Sequence, residues 1–179
     1  MISVDKFMQQ MFDMFSSEQE IQKKLEKDIF QFFVIFSRFE FALKSSGFLQ
    51  KQKKNAEPDW NSFVKKYKDT FQVTEALSPS FSYLTEQKSA PNRQMLKVSN
   101  GALSTTWEKQ NINVKDPELK KVTDSIKLVR NNLFHGGKYG DKSWNEPKRT
   151  SILINHSIKV ILALVELDQE IKISFENFT

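Results

Sequence analysis

The sequence predicts an all-α fold, a helical bundle interrupted by an irregular middle region. Three stretches of apolar residues at helical spacing predict it. Over residues 17–46 the stripe is Ile21, Leu25, Ile29, Phe32, Phe36, Phe39 and Leu43. Over 115–135 it is Leu119, Val122, Ile126, Val129 and Leu133, and over 149–171 it is Ile154, Ile158, Ile161 and Val165. From Gln72 to Asn113 the periodicity dissolves, within an irregular region of about 50–113. At 179 residues the chain is long enough for one core. With no internal repeat, low-complexity tract or convincing boundary, it reads as a single domain over 1–179.

In chain order, residues 1–15 carry Val4, Phe7, Met8, Met11, Phe12, Met14 and Phe15 and read as a short amphipathic helix. Ser17 with Glu20 three residues on is a capping box that starts the long helix. That helix carries a second apolar stripe, Phe30, Phe33, Val34 and Phe41, so it is expected to be covered on two faces. Ser45-Ser46-Gly47 ends it. After a polar, basic connection, Trp60, Phe63, Val64, Tyr67 and Phe71 predict an amphipathic helix over about 59–70. Ser78-Pro79-Ser80, Ala90-Pro91-Asn92 and Asn100-Gly101 are turn signals, with room between them for a short helix or a small hairpin. Asp116-Pro117-Glu118 is a helix start, and Gly136 is a stop. Residues 136–148 read as a loop, and Arg149 opens a closing helix that runs to about Ile171.

Composition narrows the chemistry. With no cysteine and only two histidines, thiolate zinc sites and a histidine cluster within one chain are excluded. The absence of cysteine fits a reducing, cytoplasmic compartment. The N-terminus lacks the basic start and apolar run of a signal peptide. The longest unbroken apolar run, Phe32 to Phe36, falls far short of the roughly twenty residues of a membrane span, so no membrane partner is expected. A net charge of +5 and a pI near 9.3 permit an anionic partner.

The residues that carry chemistry lie in Arg130-Asn131-Asn132-Leu133-Phe134-His135-Gly136-Gly137-Lys138, with Tyr139 following. At about 100° per residue, Asp124, Lys127, Asn131 and His135 fall opposite the apolar stripe of their helix, with Leu128 apolar in their midst. Asn131 stands one turn before His135, where an amide orients an imidazole. An arginine fork beside a side chain that titrates near neutrality suits work on phosphates. On the first long helix, Glu40 and Lys44 are one turn apart, either an ordinary pair or a support behind Arg130. Lys51, Lys53, Lys54, Lys65, Lys66 and Lys68 form either a solvated face or a track for a phosphate backbone. His156, between Ile154 and Ile158, reads as structural. No phosphate loop, nucleophile elbow or metal motif occurs.

Arg130-Asn131, three further residues and His135 near a helix end resemble the signature of the HEPN superfamily, many of whose members are metal-independent ribonucleases. Phe39-Glu40-Phe41-Ala42-Leu43-Lys44 on the first long helix is similar as well. The resemblance covers residues 17–46 and 115–168 and leaves the middle unmatched. HEPN toxins paired with minimal nucleotidyltransferases carry Tyr two residues after the histidine. Here that position is Gly137 and Tyr139 comes later, so the chain is nearer to HEPN proteins of bacterial or phage-defence settings.

The resemblance implies a HEPN-like bundle that cleaves RNA through its 2′-hydroxyl without metal or cofactor. His135 would be general base or acid, Arg130 would stabilise phosphate charge, and Asn131 would hold the imidazole or a phosphate oxygen. Glu40, Lys44, Lys138 and Tyr139 would support them. Because cyclising cleavage needs both a proton acceptor and a donor, a homodimer bringing two His135 to one cleft is expected, with a regulatory or antitoxin protein as a further partner. The competing readings are a HEPN-type module that binds RNA or a nucleotide without cutting it, and a helical dimerisation subunit.

Overall fold

The computed structural model describes residues 19–99, 101–134 and 146–177. The first of the described elements, α1 (Gln19–Ser45), is the spine. The predicted stripe faces inward, with Leu25, Phe32, Phe36, Phe39 and Leu43 all buried. Gly47, at φ 85°, closes the helix. The Phe48 amide bonds the Leu43 carbonyl at 2.9 Å and the Gly47 amide the Lys44 carbonyl at 3.2 Å, the paired closure that a left-handed residue permits. The chain then turns back, tied by Gln50 to Glu57 and by Asp59 to Phe48, into α2 (Trp60–Tyr67). Asp59 caps α2 by accepting from the Ser62 amide at 3.0 Å. Trp60, Phe63 and Tyr67 interleave with Phe36, Phe39 and Phe48 as an aromatic block. Edge-on contacts such as Phe39–Phe63, at 5.7 Å and 85°, are the favoured geometry.

The middle region overturns the all-α expectation. It contains both a helix, α3 (Ser78–Thr85), and an antiparallel hairpin, β1 (Asn92–Ser99) and β2 (Ala102–Lys109), so the fold is helix-rich but mixed. Ser78-Pro79-Ser80, read as a turn, is the first turn of α3, where proline's fixed φ suits a helix start. The hairpin forms around Gly101, at φ 78°, with Val98 opposite Leu103 and Leu96 opposite Thr105. Helical periodicity is absent there because its apolar residues are few and mostly exposed.

Next comes α4 (Glu118–Phe134), whose Leu119, Val122, Ile126, Val129 and Leu133 are all buried. The closing helix is a second correction. It is two helices, α5 (Pro147–Val165) and α6 (Gln169–Glu176), broken at Asp168. The Asp168 carboxylate accepts from the amides of Glu170 at 2.8 Å and Ile171 at 3.2 Å, which caps a new helix. The Tyr67 hydroxyl donates to the same carboxylate, pinning the corner to α2.

α1 packs on α5 and α6, α3 packs on α4 and α5, and α4 receives α2 on one side and β1 on another. Arg38 on α1 donates to the carbonyls of Ser174 at 2.9 Å and Phe175 at 2.7 Å, holding the end of α6. Phe30, Phe33, Val34 and Phe41, the second stripe of α1, stay exposed, Phe30 by 68 %. Residues 1–18, including the amphipathic stretch and Ser17, lie outside the described residues. Among the described residues no helix is long and apolar enough to cross a membrane.

Candidate functional site

The site forms where α1, α2, α4 and β1 meet. α4 is helical through Phe134, and Arg130 and Asn131 stand near its C-terminal end. Arg130 Nη1 donates to Asn131 Oδ1 at 3.1 Å, and its guanidinium lies over the Phe36 ring at 5.8 Å. Phe36 in turn stacks on Trp60 at 5.8 Å. The Trp60 indole donates to Glu40 Oε1 at 3.2 Å, and Lys127 Nζ lies 5.9 Å from the Trp60 ring. Glu40 therefore belongs to the aromatic wall behind Arg130, held by the indole. Lys44 stands half-buried in the last turn of α1. His135, Lys138 and Tyr139 lie outside the described residues, and so does the Gly136 stop.

Asp124, Lys127 and Asn131 share one side of α4, as the helical spacing predicts, and open on a cleft of about 540 Å³. Arg93 and Gln94 of β1 line it too, with Leu128 and Asn132. The strand is anchored there because Asn132 Nδ2 donates to the Asn92 carbonyl at 2.8 Å. Asp124 is ion-paired to Lys127 at 2.7 Å and to Lys120 at 2.9 Å. Burial would raise its carboxyl pKa, but the hydrogen bonds and charges of the two lysines outweigh that and hold it below the ordinary carboxylate range.

Leu128 is nearly buried, 9 % exposed, in the wall of this cleft. The expectation that it lies open on the polar face is corrected, because β1 packs against α4 there. Trp60, Asn132, Arg93 and Gln94 belong to the site without forming part of any sequence motif. Asn132 had the only sequence signal, its place beside the motif. The hairpin pair is brought in by tertiary packing alone.

The other candidates fall elsewhere. His156 Nδ1 meets Ser80 Oγ at 3.0 Å and its ring stacks on Tyr83 at 4.6 Å, a structural link between α5 and α3. Of the lysine runs, Lys66 bonds Asp168 at 3.3 Å, while Lys51 and Lys54 stand exposed. No protein-family model, curated protein or solved structure matches the chain.

Proposed function

We propose that the protein is a HEPN-type, metal-independent endoribonuclease acting as a homodimer in bacterial or phage defence or stress. The 2′-oxygen of RNA attacks the adjacent phosphorus and the bond to the 5′-oxygen breaks, leaving a cyclic phosphate and a 5′-hydroxyl. One His135 takes the 2′-proton, and His135 of a second copy gives a proton to the departing oxygen. Arg130 holds the phosphate oxygens as charge builds on them, with its fork matching two of them. Asn131 orients the imidazole or a phosphate oxygen.

The observation that supports this reading is the placement of Arg130. Its guanidinium is oriented by Asn131 and Phe36 near the C-terminal end of α4, beside an open cleft and just before His135 in the chain. A fork whose direction is set before substrate arrives costs little reorganisation during reaction. The exposed Phe30, Phe33 and Phe41 of α1 support the second copy.

A second reading, an RNA- or nucleotide-binding module without catalysis, is favoured by the cleft itself, with its amides and cations. Incubation with total RNA, with and without EDTA, separates the two. Cleavage that persists in EDTA and yields cyclic-phosphate ends is expected. Cutting that stops in EDTA and returns with magnesium or manganese would sink the mechanism, and retention of intact RNA would favour the binding module.

A further inference from the structure

We infer that the cleft between β1 and α4 is a subsite for one nucleotide of a single-stranded RNA. The base lies between the amides of Gln94 and Asn131, and the phosphate lies on Arg93. The identity of the ligand as RNA rests on the ribonuclease reading. The site itself rests on the packing of the hairpin against α4, and its test residues, Arg93 and Gln94, lie on the hairpin.

Three observations carry it. The first is size: about 540 Å³ falls within the roughly 300–1,000 Å³ of small-ligand sites and holds one nucleotide. The second is the polar set. Two primary amides, each with a donor and an acceptor, match the edges of a nucleobase, and Leu128 beside them gives apolar contact. Gln94 Nε2 donates to Thr105 Oγ1 at 3.3 Å, which orients its amide on the sheet. The third is charge. Asp124 is already paired with Lys120 and Lys127, so Arg93 leaves the cleft with a cationic surplus. That surplus favours a polyanion over a neutral peptide.

Asn131 links this cleft to the reacting phosphate, because it lines the cleft and also accepts from Arg130. A nucleotide seated between Gln94 and Asn131 places its neighbouring phosphate toward Arg130. The hairpin then acts as a guide that selects the base flanking the cut.

Binding to the full-length protein tests this by fluorescence anisotropy, using short single-stranded RNAs with 2′-O-methyl sugars, which block the 2′-hydroxyl route. Arg93→Ala should weaken all sequences about equally and lower the salt slope by about one. Gln94→Ala should weaken one base about tenfold and the others little. Both side chains belong to exposed residues of β1, so the circular dichroism of the variants should match the parent. If both variants bind every RNA with the parent's affinity and salt slope, the subsite is overturned, whatever the protein cleaves. Binding that depends on Arg93 and Gln94 in a protein that cuts no RNA supports the subsite and removes the nuclease reading.

Discussion

The guanidinium of Arg130 rests on the ring of Phe36, 5.8 Å from its centre, so a catalytic candidate on α4 is oriented by the core face of α1. Lysine keeps the charge but cannot stack a planar fork or bind two phosphate oxygens at once. Arg130→Lys is therefore expected to lose about 10²-fold in cleavage. Arg130→Ala and His135→Ala should each lose about 10²- to 10⁴-fold, and the double variant little more, because residues acting in one step are not additive. His156→Ala, on the far link between α5 and α3, should leave cleavage intact. A His135→Ala protein that folds and cuts normally would reduce the motif to a helix end.

The exposed aromatic stripe of α1 predicts self-association. Sedimentation at micromolar concentration should give about twice the 20.9 kDa of one chain. Phe30→Ser with Phe33→Ser should return it to one chain and abolish cleavage, since each cleft would then have a single His135. A parent that stays monomeric across that range removes the composite site.

Asp28 predicts an acid-sensitive joint between α1 and α5. Its buried carboxylate accepts from Lys24 at 2.6 Å, from Asn155 at 3.0 Å and from the Ser151 hydroxyl. Burial would raise its pKa, yet the hydrogen bonds of Lys24 and Ser151 and the charge of Lys24 prevail and hold it below the ordinary value. A depressed folded pKa means stability present above about pH 4 and lost as pH falls through the folded value. Asp28→Ala should cost about 1–3 kcal/mol in urea unfolding at pH 7. It should also lose less stability than the parent between pH 5 and pH 3.

His156 adds a second pH effect, at milder acidity. Burial, and then the charge of Lys159, holds its imidazole below the ordinary value. The neutral ring is thus favoured in the fold, and its stabilisation is full above about pH 6.5 and declines as pH falls below that. The melting temperature should drop between pH 7 and pH 5. His156→Phe, which keeps a ring on Tyr83, should start lower because Ser80 loses its partner, but decline less steeply. Parallel curves for the two proteins would mean that other groups set the slope.

The sequence by itself determined the elements whose signal is local. The stripes of α1, α4 and α5 were legible because burial on one side of a helix repeats every three or four residues. Gly47 marked the end of α1 by backbone chemistry that needs no distant partner. The shared face of Asp124, Lys127 and Asn131 was legible for the same reason. Tertiary structure decided what depends on residues far apart in the chain. The hairpin of residues 92–109 has sparse apolar residues and buries little surface, so periodicity could not separate it from a short helix. The break at Asp168 is reinforced by Tyr67, about a hundred residues earlier, and an unbroken apolar pattern hides it. The cleft exists because Asn132 takes the Asn92 carbonyl, which brings Arg93 and Gln94 beside Asn131 and covers Leu128. Helical spacing places residues on a face, but what comes to lie against that face is set by long-range packing.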